Sequence, residues 1–514
     1  KMEIFTIIIL AVLAVFLLIG NIYLFVHYAA PDDDSACAGV FSKIIVIMSM
    51  TLCWLQLLLL PLDVANTRGN SLDFRMDIAW IVIYCAIALF MFFVLPLTSA
   101  YNECDSDWTM GEKFKYMICN WIITLVIFLA AIFVTFSFLK YAEIPITTNN
   151  CPVSGFQKSN VVNLNTLHCT KFETHLKVTV SFPIYLIAFM SFCSWFLFVI
   201  FGGIGIASLP MDCFYDYSTK PEKITREELE AKKNELAAQT REVKTLASQA
   251  KRLEEDDVLK KNVFSKDRRE YNNIVKELKA GYAVLHREHT IFKLQRSFNE
   301  ESVLFYFFKL FLGIISSIFS VLWFVHIIIY FIIPVSNSTN ASNGNSIDFL
   351  NKLLIFFVEK NLSFISSGIF AVLCIYLQVC VVKGCLKFGT RFLCGVEVHP
   401  LIKNETYIGS IIFNILLVLT ASISLTQFCE ASFQEYASLT DISIIFSGQI
   451  KYLRVFKYFY ENDVFEYALL GVIFVSVICL ALRPNDINTI NARLEKMKKQ
   501  DKLLEMDSTT VKDD

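Results

Sequence analysis

Ionisable and polar side chains interrupt the apolar sequence at two places where they could carry chemistry. His326 stands in the stretch "LWFVHIIIYF", and in "LLLLPLDVANTRGNSLD" four leucines run into Asp63, Asn66 and Arg68. Because such groups are costly inside a bilayer, they are candidates for a functional site. An imidazole ordinarily titrates near physiological pH and can bind a ligand or relay a proton, and an aspartate can coordinate an ion. We therefore take these four residues as candidate ligand-binding residues.

Each candidate also has a structural interpretation, which the sequence favours. His326 is then a neutral core imidazole bonded to a neighbouring helix. Pro61 is expected to end its helix, so that Asp63 and Asn66 bond the backbone groups freed at the helix end. Asp63 is further expected to form an ion pair with Arg68 or Arg75 in the following loop. Ligand contact remains the alternative at both places.

The elements that must position these residues are membrane spans. The 514 residues are 55% hydrophobic and only 18% charged, with a mean hydropathy of +0.52, whereas soluble chains carry about 25% charged residues. This composition indicates a polytopic membrane protein. The net charge of −2 indicates neither a nucleic acid nor an acidic partner. The first apolar stretch is too long for a cleaved signal peptide, so we expect it to be a retained span.

About 20 mostly apolar residues cross the hydrocarbon of a bilayer, and nine stretches satisfy that rule. We therefore predict an all-α fold, a polytopic transmembrane bundle of about nine spans. The shorter apolar stretch 349–358 is predicted to be interfacial or re-entrant, with a tenth crossing as the alternative. The predicted spans are residues 4–28, 44–62, 78–101, 118–139, 178–209, 304–334, 364–382, 407–428 and 465–482.

One large soluble segment, residues 212–302, separates spans one to five (1–211) from spans six to nine (303–482), and 483–514 form a tail. Within it, apolar residues recur at helical spacing on both sides of the charged stretch "EEDDVLKKNVFSKD", which places them on one face of each helix. This pattern predicts an antiparallel helical hairpin docked on itself. The alternative is a pair of amphipathic helices that only links the spans. The two stripes are Leu229, Leu236, Val243, Leu246 and Leu253, and then Tyr271, Ile274, Leu278, Tyr282 and Leu285.

The orientation rests on two loops. Cys151 and Cys169 bracket the loop after the fourth span and predict a disulfide of an oxidising compartment, with Cys429 as a rival partner. Asn337 and Asn340 begin glycosylation sequons after the sixth span. Both loops are therefore placed outside, which gives an outside or lumenal N-terminus, a cytosolic hairpin and a cytosolic tail. The positive-inside rule argues the other way, because the outer loops of this topology hold more Lys and Arg.

Two further sets of small residues have a structural and a functional interpretation. Gly202, Gly203 and Gly205 in "FGGIGIASLP" superficially resemble a phosphate loop, but they lie in an apolar span without a preceding strand. We expect them to let another helix approach closely. Three cysteines lie at a depth suited to acylation, although an ordinary thiol is the favoured interpretation. They are Cys213, Cys385 and Cys394. Tyr271 begins "YNNI", which is similar to an endocytic signal, but its place on the stripe favours packing.

The sequence offers no catalytic or metal-binding signature. HExxH, GxSxG and the Walker lysine loop are missing, and the fifteen cysteines form no CxxC pair. Paired aspartates at span centres, which intramembrane proteases use, are missing as well. We therefore expect no enzyme activity, no cofactor and no metal site.

Several stretches resemble the limb-region (LMBR-like) family of membrane proteins, in the order in which that family has them. The resemblance covers nearly the whole chain and is strongest to the branch found in plants and protists. The lysosomal cobalamin-transport protein and the lipocalin-interacting membrane receptor, which belong to the same family, match less well. The resemblance implies nine spans with a large cytosolic helical loop between the fifth and sixth, and no shared catalytic residue. The stretches are "NIYLFVHYAAPDDD", "LLLPLDVANTRG", "FGGIGIASLPMD", "WFVHIIIYFII", "VHPLIKNETYIGSIIFNILLVLTASISLTQFCEASFQEYA" and "IKYLRVFKYFYENDVFEY".

Three functions are considered: the resemblance implies the first two, and the many phenylalanines and small-residue patches permit the third. A receptor or trafficking escort would bind a small molecule or carrier protein at its outer face and a cytosolic protein through 212–302. A transporter would move a small organic solute, as the cobalamin relatives imply. A structural subunit would pack against other membrane proteins. We expect the receptor or escort, in a plasma or endolysosomal membrane, in contact with membrane lipid and with no nucleic acid.

Overall fold

A computed structural model describes residues 2–29, 39–68, 75–104, 108–150, 170–218, 225–255, 266–300, 303–332, 348–388 and 406–482. Several predictions lie outside these residues and stay predictions. They concern the disulfide of Cys151 and Cys169, the sequons at Asn337 and Asn340, the acylation of Cys394, and the tail 483–514.

Helices make up most of the described chain. In chain order they are α1 (Met2–Tyr28), α2 (Gly39–Arg68), α3 (Met76–Leu89), α4 (Leu95–Asn102), α5 (Met110–Leu139), α6 (Phe182–Ser218), α7 (Arg226–Glu255), α8 (Lys266–Glu300), α9 (Val303–Ile327), α10 (Phe349–Glu359), α11 (Ser363–Phe388), α12 (Ile408–Ser432), α13 (Asp441–Ser443), α14 (Lys457–Tyr460) and α15 (Val464–Leu482). Three segments are π-helical: π1 (Phe90–Val94), π2 (Ile328–Ile332) and π3 (Ile444–Ile450). Segment π1 joins α3 to α4, and π2 continues α9.

Nine helices of the described residues are long and apolar enough to cross a membrane, and they coincide with the nine predicted spans. The all-α polytopic prediction is therefore confirmed. Helix α10 has 11 residues, about 16 Å at 1.5 Å per residue, which is too short for a crossing. Its side chains Leu350 and Leu354 are buried, and it packs against α11. The interfacial or re-entrant prediction fits this length.

Helix α2 continues beyond Pro61 to Arg68, so the prediction that Pro61 ends this helix is wrong. A proline inside a helix removes one backbone donor and crowds the carbonyl four residues earlier. Here the following turns are held from outside: the buried Asp63 side chain and Arg68 both bond residues 435–442. These tertiary contacts offset the local cost of the proline.

The centre of the bundle is formed by α2 and α12. Helix α12 packs against α2, α11 and α4, and α1 packs against α2 and α11. The buried hydroxyl groups of Ser422, Ser424 and Thr426 in α12 bond to carbonyls one turn earlier, as Thr426 Oγ1 does to Ser422 O at 3.0 Å. A polar hydroxyl is thereby satisfied without water, as the interior of a membrane protein requires.

Close backbone approach joins α6 to α11. A Cβ atom added at Gly205 would lie 1.8 Å from the carbonyl oxygen of Cys380, and one added at Gly384 would lie 1.8 Å from that of Phe201. A Cβ added at Gly203 would lie 2.7 Å from Val472 Cγ1 on α15. The prediction that the glycines of "FGGIG" admit a neighbouring helix is confirmed, and Gly384 is the partner that the sequence did not reveal.

A two-stranded antiparallel ribbon stands between α5 and α6, where the sequence was expected to form only a loop. Strand β1 (Tyr141–Asn150) pairs with β2 (Thr170–Thr179), Tyr141 opposite Thr179. Both strands are rich in β-branched residues, which suit an extended chain. The ribbon is attached to residues 452–457: Glu143 N donates to Tyr452 O at 2.9 Å, and Arg454 N donates to Tyr141 O at 3.1 Å. Lys457 Nζ donates to Glu143 Oε2 at 2.7 Å.

We expect Glu143→Gln to lower the melting temperature at neutral pH and to leave it unchanged in acid. The hydrogen bond from Lys457 lowers the pKa of Glu143. Because this folded-state pKa is below the unfolded value of about 4.3, the stabilisation is present above that value and is lost as the pH falls through the folded pKa.

Melting temperatures of wild type, Glu143→Gln and the exposed control Glu359→Gln, followed from about pH 8 to about pH 3, measure this effect. A difference between wild type and Glu143→Gln that persists undiminished at the lowest pH contradicts the prediction.

The chain divides into two compact units, Lys1–Pro210 with Ser316–Leu480 and Met211–Ile315 with Ala481–Asp514. In the second unit α7 and α8 contact each other, and Gly281 of α8 faces Val243 of α7, whose Cγ2 lies 3.4 Å from a Cβ built on the glycine. Leu229, Leu236 and Tyr271 are half-buried, as the stripes predict. Tyr282 is an exception, because 61% of it is exposed. The cytosolic placement of this hairpin stays a prediction.

Candidate functional site

Residues 433–463, which connect α12 to α15, gather the loops at one end of the bundle. We call them the 433–463 segment. Its residues Tyr436, Ile442 and Leu453 are buried. The end of α2 bonds to residues 435–442 of it, and the ribbon bonds to residues 452–457. The chain after the second and fourth spans therefore meets the chain after the eighth span at the same end, as alternate crossing of the membrane requires.

The structure places Asp63 in a fully engaged position. Its side chain is completely buried. Oδ2 accepts from Trp80 Nε1 at 2.8 Å and from Ile442 N at 3.1 Å, and Oδ1 accepts from Asp441 N at 3.4 Å. The carboxylate thus caps the first backbone donors of α13, which have no partner within their own helix. Its role is to hold the 433–463 segment against α2 and α3.

The predicted ion pair of Asp63 with Arg68 or Arg75 is wrong. Because α2 continues, Arg68 lies beyond Asp63 and donates from Nη2 to Glu435 O at 2.6 Å, with its guanidinium 5.4 Å from the centre of the Tyr436 ring. Arg75 instead pairs with the exposed Asp77 at 2.8 Å. Asn66 is half-buried near the same end of α2.

His326 is completely buried beside the end of α12. Its Nε2–H donates to Ser432 O at 3.1 Å, and Asn351 Nδ2 donates to the same carbonyl at 3.1 Å. Nδ1 of His326 lies 3.9 Å from Oδ1 of the buried Asp348. These bonds satisfy a carbonyl that the end of a helix leaves open, which matches the structural interpretation of this histidine. A ligand contact by His326 stays a prediction.

A polar cavity of about 270 Å³ lies at the end of α12, beside these residues but without them. Its floor comes from α6 and α12, and its walls come from π2, π3, α14 and the start of α15. Gln434 on its rim is exposed, so the cavity opens at the surface. π-Helical turns are frequent at functional sites, and two of the three contribute here. The lining residues are Trp195, Tyr330, Phe331, Gln427, Glu430, Ala431, Gln434, Glu435, Phe446, Ser447, Lys451, Tyr460, Asp463 and Glu466.

Two glutamates at the cavity are almost completely buried. Glu430 is 0% exposed, and both of its carboxylate oxygens are 3.0 Å from Ser447 Oγ. Glu466 is 5% exposed, and its Oε2 atom has no hydrogen-bond partner. One turn before Glu430, the Oε1 atom of Gln427 accepts from Trp195 Nε1 at 2.9 Å and from Ser191 Oγ. A buried carboxylate oxygen without a donor is costly, and Glu466 is one of the residues that line the cavity.

The rim of the cavity carries two further carboxylates. Asp463 adopts a left-handed backbone with φ of 49°, a conformation that aspartate tolerates better than most residues. Burial raises the pKa of Asp463 and that of Glu435. Lys451 is the one cationic side chain among the lining residues. The site can therefore offer hydrogen-bond acceptors and negative charge to a ligand.

The amino-acid sequence alone did not point to this site. The predicted spans end at 428 and begin at 465, so that Glu430 and Glu466 fell at or beyond a border and did not count as charges within spans. The available signal was their position: each is within two residues of a predicted span end, and the spans flank one loop. Of the four predicted residues, none lines the cavity, although Arg68 bonds Glu435 and His326 bonds Ser432 nearby.

The cysteines of the described residues take structural positions. Cys385 is buried, with Sγ 3.6 Å from Asn414 Oδ1, so its thiol is not accessible for acylation. Cys429, the rival disulfide partner, is buried in α12 and free. Within the described ranges, no three His, Cys, Asp or Glu side chains are grouped so that they could hold a metal ion.

The similarity of this chain to known proteins extends over nearly its whole length. The profile of the family described as LMBR1-like membrane protein matches residues 6–275 and 218–480. A LIMR family protein of Dictyostelium discoideum is 28% identical over 94% of this chain and 98% of its own length. LIMR family proteins of Arabidopsis thaliana (29% identical, 93% of this chain and 96% of that protein) and of Oryza sativa (27% identical, 93% and 95%) are also similar. No solved structure matches the chain.

Proposed function

Because the chain belongs to the LMBR1-like membrane protein family, we propose that it is a membrane receptor or trafficking escort with a ligand site in the polar cavity. The observation that carries the proposal is the cavity itself, which opens at the end of the bundle and holds a buried carboxylate oxygen without a partner. Binding sites are typically preformed concave pockets with a few well-placed polar groups. Asp63 does not line the cavity, and both of its carboxylate oxygens already accept hydrogen bonds within the protein.

The second half of the proposal concerns the helical hairpin. Charged residues of α7 such as Lys233, Arg241 and Lys244 are exposed, whereas Leu229 and Leu236 of its apolar stripe are half-buried. An exposed helical surface of this kind suits a protein partner. The proposal places the hairpin in the cytosol and the cavity on the outer or lumenal side, in a plasma or endolysosomal membrane. It assigns no catalytic activity to the chain.

The test uses the full-length chain with a promiscuous biotin ligase fused to its C-terminus. We expect labelled proteins to be cytosolic, and we expect the triple charge reversal Lys233→Glu, Arg241→Glu, Lys244→Glu to reduce the main ones at least about tenfold. The charge-conserving control is Lys233→Arg, Arg241→Lys, Lys244→Arg. Labelling of lumenal or extracellular proteins overturns the orientation, and an identical labelled set from all three chains overturns the partner surface.

A transporter of a small organic solute is the second candidate, and one observation favours it. A smaller apolar cavity of about 60 Å³ lies at the other end of α12, beside Phe25, Met50 and Ile415. Between the two cavities α12 carries the buried polar residues Ser422, Ser424 and Thr426. A transporter moves its ligand across a sealed vesicle, whereas a receptor only binds it, so uptake separates the two functions.

A further inference from the structure

We propose that the polar cavity binds a small organic cation with a protonated amine, a proposal that rests on the function proposed above and names its ligand class. No described residue of the cavity other than Lys451 carries a positive charge, and four carboxylates line it. Glu430 and Glu466 lie deep in the cavity, while Glu435 and Asp463 are half-buried.

The charge balance favours a cation. Among the described residues, no Lys or Arg nitrogen lies within ion-pair distance of any of the four carboxylates. One lysine stands among four acidic side chains, so the lining is better matched to a cation than to an anion. A buried carboxylate without a partner is strongly unfavourable, and a bound cation relieves that cost. An anionic ligand would instead add to the repulsion.

The hydrogen bonds of the cavity favour a ligand that carries hydrogen-bond donors. Oε2 of Glu466 has no partner, and both oxygens of Glu430 accept from the hydroxyl of Ser447. Each carboxylate oxygen can accept more than one hydrogen bond, and an ammonium group offers three donors and no acceptor. The cavity lacks donors and the ammonium group supplies them.

The walls distinguish an organic cation from a metal ion. Trp195, Tyr330, Phe331, Phe446 and Tyr460 line the same cavity, and aromatic faces attract ammonium ions. Calcium and magnesium instead need about six or more oxygen ligands, and no metal-holding group is found within the described ranges. A volume of about 270 Å³ is close to the lower end of small-molecule sites, about 300 Å³, so the ligand is small.

The experiment uses the full-length protein in lipid nanodiscs and three probes with the same ring. They are 2-phenylethylammonium, the neutral 2-phenylethanol and the anionic phenylacetate, and methylammonium tests the amine without the ring. Binding is followed by calorimetry and by the fluorescence of tryptophan, since Trp195 lines the cavity. We expect 2-phenylethylammonium to bind at least about tenfold more tightly than the neutral and anionic probes.

The variant Glu466→Gln removes one negative charge at constant shape and is expected to weaken ammonium binding at least about tenfold. The control is Glu461→Gln. Glu461 is an exposed residue of the 433–463 segment and does not line the cavity, so this variant is expected to bind the ammonium probe like wild type. If Glu466→Gln does not fold, the selectivity of the wild type among the three probes decides by itself.

Two results overturn the proposal. They are equal or tighter binding of 2-phenylethanol or phenylacetate, and the absence of binding by every ammonium probe at millimolar concentration. Neither result bears on the proposed partner surface of the hairpin. That proposal fails if the charge-reversal variant gives unchanged biotin labelling. Uptake of a bound probe into sealed proteoliposomes would support the proposed ligand class. It would also show that the protein is a transporter and not a receptor.

Discussion

Gly205→Ala is expected to destabilise the protein by about 3 kcal/mol or more, at the upper end of overpacking effects. The new Cβ would lie 1.8 Å from the Cys380 carbonyl oxygen, which is backbone and has no rotamer to change. Helices α6 and α11 must therefore separate, and their contacts on both sides of the glycine are lost. In a bilayer such close packing is a main source of helix association, because lipid solvates apolar side chains as well as protein does.

The matched control is Gly471→Ala, since a Cβ at Gly471 has nothing within 4 Å although it also lies in a span. Thermal unfolding in mild detergent, followed by size-exclusion chromatography, compares the two variants. Gly384→Ala should behave like Gly205→Ala. The double variant should cost less than the sum of the two single variants, because helices that one methyl group has already separated accommodate the second. A Gly205→Ala protein as stable as Gly471→Ala would show that the backbone contact is not needed.

Asp63→Ala is expected to destabilise the protein by about 3 kcal/mol or more, since each buried donor left without an acceptor costs about 1–3 kcal/mol. The change leaves three donors without an acceptor: Trp80 Nε1, Asp441 N and Ile442 N. Each orphaned buried donor is costly, and the first turn of α13 loses its cap. The 433–463 segment is therefore expected to open locally before the rest of the bundle unfolds.

Limited proteolysis measures this local opening, together with the melting temperature. Cleavage within the 433–463 segment should accelerate in Asp63→Ala, less in Asp63→Asn, which keeps one oxygen acceptor, and not at all in Asp77→Asn, whose carboxylate is exposed and pairs only with Arg75. Unchanged cleavage in Asp63→Ala would mean that Asp63 does not hold the segment in place.

Hydropathy predicted the nine spans because each crossing is decided by local composition. The course of α2 past Pro61 was not predictable in this way, because its last turns are held by residues 435–442, more than 360 positions later. Rules based on neighbouring residues include the cost of the proline but not the long-range hydrogen bonds that offset it. The ribbon was missed for a related reason, since its alternation is short and it lies between two long apolar helices.

The cavity also could not be predicted from neighbouring residues alone. Glu430 and Glu466 are separated by the 433–463 segment, and only the folding of that segment onto α2, α3 and the ribbon brings them to one cavity. His326 was recognised as a polar residue in a span, but its partners Asn351 and Ser432 come from two other helices. Residue types within a span indicate that a polar group needs a partner, and tertiary packing decides which partner it finds.

The ribbon has a mechanical consequence for the cavity. Strand β1 is bonded to the backbone of Tyr452 and Arg454, and Lys451, the lone cation of the cavity wall, is the next residue along the chain. A pull on the ribbon is transmitted through these bonds to Tyr452 and then through a single peptide unit to Lys451. A partner that binds the ribbon can therefore change the position of the Lys451 charge at the cavity without entering the cavity.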